Sequence, residues 1–227
     1  MKKVVALMPM KGVSERVPGK NLKLFNGKPL YHWVLNTLLE TENILEVHID
    51  TDCPKICLDV ESSFKKRVHI INRPNQLKGN YVSMNKIIEH DISTLKNIHF
   101  LQTHSTNPLL SKNTLKKAIE MYFNCIEKGE ADTLFSVTKV QKRFYSTDCK
   151  PLNHDPAMLV TQHLEPMFEE NSCFYIFSNK SFQVAKSRIG KNPKMYQMNQ
   201  QESLDIDTPD DFLMAETIFK HNRNENI

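Results

Sequence analysis

Glycine is scarce in this chain, at 6 of 227 residues, which excludes glycine-rich fibrous and low-complexity architectures. No apolar run approaches the ~18–20 residues that span a bilayer, and the start MKKVVALMPMKG lacks the apolar core and cleavage site of a signal peptide. A cytoplasmic protein without a membrane partner is the expectation. Cysteine is sparse and odd in number, at 5 with no CxxC pair, so neither a disulfide framework nor a zinc ribbon is expected. Cys53 and Cys57, flanking Pro54, read as helix-start or core positions. A concentrated basic stripe is also missing: the formal charge is only +4 and the Lys and Arg residues are scattered. Nucleic acid is therefore not the expected partner, and small anionic ligands fit better.

What is present is an alternation of short apolar runs with helical patterns, the signature of an α/β domain around a mostly parallel sheet. The strands read as KVVALM, EVHIDT, RVHIIN, NIHFLQ, DTLFSV and SCFYIFS. One helix is expected over 29–39, with Leu30, Trp33, Val34, Thr37 and Leu38 on one face. Another carries Leu115, Ala118, Ile119 and Tyr122, and a closing helix covers 209–220. Length and composition predict a single domain over 1–227. An excursion at about 141–170 is rich in Pro, His and charge and shows no sustained period, too long for an idle connection.

Two of the six glycines fall in one stretch, MPMKGVSERVPGKN, directly after the first strand. Loops at the carboxyl ends of parallel strands line the ligand crevice of open α/β sheets, where glycines admit backbone N–H groups to phosphate and Arg or Lys adds charge. The spacing is neither a P-loop nor GxGxxG. Two readings stay open on these residues alone: a phosphate-binding loop, or a polar surface loop shaped by its glycines and prolines. Near the other end, ESLDIDTPDDF sets Asp205 and Asp207 two apart. In an extended segment both carboxylates share a face and suit one hard divalent cation such as Mg2+. The competing reading is a helix start, with Thr208 as N-cap, Pro209 at the first position and Asp210 and Asp211 in the first turn. That explains Asp210 and Asp211 but leaves Asp205 and Asp207 without a local reason.

Together these blocks resemble the acylneuraminate cytidylyltransferase family, whose first-strand loop has the form PARGGSKRIPGKN followed by GKPL. This chain has PMKGVSERVPGKN and then NGKPL, with TDCPKI, RPNQL, LQ, ENSCFYIF and LDIDTPDDF following in the same order. The resemblance implies a Rossmann-like nucleotide-diphospho-sugar transferase fold: a mostly parallel sheet flanked by helices, with a dimerisation arm at the excursion. It further implies transfer of CMP from CTP to an acidic 2-keto sugar, a sialic, legionaminic or pseudaminic acid, with release of pyrophosphate. By the same resemblance Lys11, Gly12, Arg16, Lys20 and Asn21 contact the nucleotide, with Arg16 and Lys20 aiding catalysis, while Arg73 and the segment with Asn80 and Ser83 read the cytosine. Gln102, Asn171 and Tyr175 would face the sugar, Lys142 or Arg143 would reach the sugar carboxylate of a partner subunit in a homodimer, and Asp205 and Asp207 would hold Mg2+. Lys11 stands where the family has arginine, Val13 where it has glycine and Glu15 where it has a basic residue. THSTNPLL replaces the shorter A-T-S-P-L, making His104, Ser105, Thr106 and Asn107 candidates for altered recognition or for turn formation. Two alternatives remain: a nucleotidyltransferase of the same fold using another nucleotide or a phosphorylated acceptor, and a catalytically inactive nucleotide-binding homologue. A DxD glycosyltransferase fits less well, because Asp205 and Asp207 lie close to the C-terminus rather than at mid-chain.

Overall fold

A computed structural model describes residues 2–224 apart from Asn80, Asn97, Met158 and Leu159. The cytosine-reading expectation for Asn80 therefore lies outside the described residues, as do Met158 and Leu159 of the excursion. In chain order the elements are β1 (Val4–Leu7), β2 (Leu24–Phe25), β3 (Lys28–Pro29), α1 (Leu30–Glu40), β4 (Ile44–Thr51), α2 (Pro54–Ser63), β5 (Val68–Asn72), α3 (Met84–Thr94), β6 (His99–Thr103), α4 (Lys112–Lys128), β7 (Thr133–Val140), β8 (Met167–Ser178), α5 (Asn179–Ala185), β9 (Pro193–Gln197) and α6 (Pro209–Asn224).

Among the described residues, seven strands form one sheet in the order β5-β4-β1-β6-β8-β7-β9. All pairs are parallel except those of β8, which runs antiparallel to both β6 and β7. Helices cover both faces, so β1 reads as an unbroken apolar run. Its residues alternate: Val4 and Ala6 join a cluster with Tyr31, Val60 and Ile119, while Val5 and Leu7 pack with Ile88, Phe177 and Phe182 on the opposite face. Helix α1 is buried more widely than the predicted stripe. Tyr31, Leu35 and Leu38 face the main core, whereas Leu30 and Trp33 pack with Phe25, Ile206 and Phe212. Being wedged between the sheet and α6, it has little face left to solvent.

The chain runs from β1 outward to β4 and β5, then returns to β6 on the other flank of β1. Loops leaving β1 and β6 therefore part at the point where the strand order reverses, which opens a crevice at the carboxyl end of the sheet. The excursion is shorter than its sequence suggested. Met167 to Glu170 pair with Val137 to Val140 and lengthen β8, so cross-strand pairing supplies the order that their composition does not advertise. Its middle is organised too, with a bridge between Tyr145 and Pro151 and Asn153 Oδ1 accepting from the Phe144 amide at 2.9 Å.

Candidate active site

A cleft of about 570 Å³ lies in this crevice, lined by the loop after β1, by His104 to Thr106 after β6, and by Ser172, Asp205 and Asp207. The loop is fastened at its base. The Met8 and Met10 amides bond to the carbonyls of His48 and Asp50, and the Gly12 amide donates to Asp52 Oδ1 at 2.8 Å. A Cβ on Gly12 would stand 2.9 Å from Cys53 Cβ, so only glycine lets the loop run this close to the start of α2. At the far end Asn21 donates to the Lys11 carbonyl at 2.9 Å and accepts from Ser105 at 2.7 Å, closing the loop on itself and onto the β6 loop.

The two ends of the sequence meet here. Arg16 reaches Asp207 Oδ1 at 2.8 Å, and Lys20 Nζ lies 3.4 Å from the same oxygen while donating to the Ile206 carbonyl at 2.5 Å. The segment bearing Asp205 and Asp207 belongs to no helix or strand and leads directly into α6. The long β6 loop explains its own length by holding that segment. The Ile206 amide donates to the Thr106 carbonyl at 3.0 Å, and Asn107 donates to the Leu204 carbonyl at 3.2 Å. Thr208 caps α6 reciprocally with Asp211, whose amide donates to the Thr208 hydroxyl at 3.2 Å while its carboxylate accepts from the Thr208 amide at 2.8 Å. The Asp207 amide also donates to the Asp211 carboxylate, at 3.1 Å, but the side chains of Asp205 and Asp207 take no part in the cap. Burial raises the Asp205 carboxyl above the usual carboxylate range, with help from the Asp207 charge, and its Oδ1 is sealed from water without a hydrogen-bond partner among the described residues. An orphaned carboxylate oxygen beside a second carboxylate is the donor set that a hard divalent cation takes.

Of the three residues expected at the sugar, Gln102 and Tyr175 meet in a second, buried cluster and none lines the cleft. Gln102 is fully buried, and its side-chain oxygen accepts from Arg188. The Arg188 guanidinium lies 4.0 Å from the centroid of the Tyr175 ring and donates to Asn85 at 3.2 Å. Tyr175 in turn donates to Glu170. Asn171 is committed to its own strand neighbourhood, accepting from Ser136 at 2.6 Å and from the Cys173 amide at 3.1 Å. Between the clusters stands His104. Burial, then the charges of Arg188 and Lys20, push its imidazole down to about 4. Its Nε2 faces the Gln102 amide nitrogen at 3.4 Å, an arrangement that a neutral ring accepts and an imidazolium does not. Arg188 had no signal in the sequence: it lies in AKSRIGKNP, a stretch without period or motif, and only the fold brings it to β6 and β8.

Other expected residues sit elsewhere. Arg73 does not line the cleft. Its side chain is only 2% exposed and ion-paired with Asp50, while it donates to the Met10 carbonyl at 3.3 Å, so it supports the cleft floor from behind. Beside this pair Asp91 is buried with both carboxylate oxygens unpartnered among the described residues, as is Asp50 Oδ2. Burial together with the Asp50 charge raises the Asp91 carboxyl to about 9, which favours its protonated form beside Asp50. Ser83 precedes α3 and is exposed, next to Met84 of the cleft. Lys142 and Arg143 are exposed at the base of the excursion, outside the cleft of their own chain. A further cleft of about 690 Å³ beside Trp33, Phe219 and Arg223 holds none of the expected nucleotide or sugar residues.

Residues 5–225 match the family described as Cytidylyltransferase, and the chain belongs to it. Pseudaminic acid cytidylyltransferase of Campylobacter jejuni subsp. jejuni serotype O:2 is 24% identical over 236 residues, covering 97% of each chain. N-acylneuraminate cytidylyltransferase of Oncorhynchus mykiss is 28% identical over 221 residues; these cover 94% of this chain but 49% of that longer protein. Among solved structures, CMP:2-keto-3-deoxy-manno-octonic acid synthetase complexed with CTP shares the fold, with a TM-score of 0.71 at 14% identity over 97% of this chain and 100% of that one.

Proposed function

We propose that this chain transfers CMP from CTP to the hydroxyl of an acidic 2-keto sugar of the nonulosonic class, releasing pyrophosphate. The observation that carries the reading is the meeting of Arg16 and Lys20 with Asp207 in one cleft that Asp205 also lines, in a member of the cytidylyltransferase family. The relatives named for pseudaminic and N-acylneuraminic acids support the acceptor class.

The acceptor hydroxyl attacks the α-phosphorus, that P–O bond forms, and the bond to the pyrophosphate oxygen breaks. Positioning and charge stabilisation supply such a transfer. The loop after β1 presents the Gly12 to Lys20 backbone and two cations to the triphosphate, and Arg16 and Lys20 stabilise charge on the departing pyrophosphate. Both cations engage Asp207, so the carboxylate holds them at the cleft mouth. Asp205 and Asp207 would hold Mg2+, which when bound offsets charge on the phosphate oxygens. Arg188 holds the buried Gln102 and Tyr175 together next to His104, and neutral His104 lines the cleft as a hydrogen-bonding wall that carries no charge to repel or attract the acid.

The test is pyrophosphate release from each of the four nucleoside triphosphates, with magnesium and a panel of sialic, legionaminic, pseudaminic and octulosonic acids. CTP with a nonulosonic acid should be the productive pair. Turnover with another triphosphate alone, or with a phosphorylated acceptor, would overturn the reading.

A further inference from the structure

Away from the cleft, the strands EVHIDT and RVHIIN place three ligand-type side chains together. Alternation puts Glu46 and His48 on one face of β4, and the parallel register sets His48 beside His69 of β5. His48 Nε2 lies 3.2 Å from Glu46 Oε1, and His69 Nε2 lies 3.9 Å from Glu46 Oε2. The imidazoles are stacked with centroids 4.9 Å apart, and one donor atom from each residue falls within 4.8 Å of the other two. The decisive feature is His48. It is 8% exposed, and its Nε2, sealed from water and aimed at Glu46, makes no hydrogen bond among the described residues. A buried ring nitrogen that meets a carboxylate at 3.2 Å without hydrogen-bond geometry keeps a lone pair that an ion bridging the two can take.

We propose that Glu46, His48 and His69 bind one divalent transition-metal ion, zinc by preference, at a site separate from Asp205 and Asp207. Two imidazoles and a carboxylate are a donor set that zinc takes readily, whereas magnesium prefers oxygen ligands and octahedral geometry. Zinc with arms of about 2.1 Å sets tetrahedral donors about 3.4 Å apart, close enough to the present separations for side-chain rotation to close the site. The His69 side chain is 52% exposed, which gives the ion a route in and leaves water a coordination position. The site has a structural consequence. β5 is the outer strand of the sheet and Arg73 follows it directly, so an ion joining β4 to β5 staples the edge that carries Arg73 to Asp50.

The experiment is a zinc titration of the chelator-stripped, full-length chain against a chromophoric competitor at neutral pH, with melting temperature followed in parallel. One ion per chain should bind and raise the melting temperature. His69→Ala, which alters a half-exposed residue, and Glu46→Gln should each weaken binding at least about tenfold, a loss that even outer-shell changes produce at metal sites. Asp207→Asn should bind zinc as the parent does. Absence of stoichiometric binding in the parent, or unchanged affinity in both His69→Ala and Glu46→Gln, would overturn the site.

Discussion

Asp205 and Asp207 stand two residues apart and live in different surroundings. Asp205 is largely buried with one oxygen unpartnered, while the Asp207 side chain is 39% exposed and shared by Arg16 and Lys20. Replacing Asp207 by Asn therefore leaves packing and the Thr208 cap intact, and the lost surface pairs are worth at most about 1 kcal/mol of stability. Turnover should fall at least about a hundredfold, the scale of one strong transition-state contact. Pyrophosphate-release kinetics alongside a thermal melt check this, and near-normal turnover in a folded Asp207→Asn protein would remove the pair from the chemistry. Arg188 makes the complementary case on the sugar side. Arg188→Lys keeps the charge but loses the planar fork that spans Asn85, Gln102 and the Tyr175 ring. The KM for the sugar acid should rise about tenfold while the KM for CTP changes little; an equal rise in both would place Arg188 in general folding instead. Of these residues, the aspartates and the loop cations were legible in the sequence because their motifs are local. Arg188 and the burial of Arg73 were not, because each is created by contacts between distant strands.

Strand and helix signals behaved in the same way. β1, β4, β5, β6 and β7 announce themselves as apolar runs because both sheet faces are covered, and α4 by its amphipathic stripe. The antiparallel course of β8 between β6 and β7 has no local signal, since an apolar run reads alike in either direction. β9, PKMYQ, is mostly exposed at the sheet edge and lacks the apolar density that marks a strand. Helix α3 hides its most consequential residue, since Asp91 sits on its buried face against Asp50 and Arg73. Its carboxyl keeps a proton up to about 9 in the folded chain, whereas an unfolded Asp loses it near about 3.9. The folded state binds more protons between those values, so this group's contribution is full at acid pH and is lost progressively as pH rises through that window. Asp91→Asn mimics the protonated form and donates to Asp50 without titrating. Urea midpoints measured across that range should therefore favour Asp91→Asn increasingly over the parent as pH rises; two parallel curves would show that Asp91 is ionised in the fold.

At the scale of the whole molecule, the excursion between β7 and β8 presents apolar surface that the described residues leave exposed. Tyr145, Leu152, Met167 and Phe168 are all exposed, while Leu164 is buried and held through Gln141, whose amide donates to its carbonyl at 2.9 Å. A cleft of about 540 Å³ runs between Phe144, Met167 and Phe168, with Lys142 at its edge. Contiguous apolar surface of this kind marks an interface, and two copies related by a two-fold axis cover it reciprocally. We propose a dimer in which each excursion reaches toward the partner's cleft, bringing Lys142 or Arg143 to a sugar carboxylate that they do not approach within their own chain. Sedimentation equilibrium should give a dimer at assay concentrations, and Phe168→Glu should shift it toward monomer by setting charge into the buried face. The shared site has a sharper consequence. Asp207→Asn and the double variant Lys142→Ala, Arg143→Ala should each be nearly inactive alone, because each damages a different half of the same composite site. After subunit exchange, a heterodimer contains one cleft built entirely from undamaged halves, so activity should return in proportion to the heterodimer formed. Proven heterodimers without restored activity, or a monomer as active as the dimer, would confine each active site to a single chain.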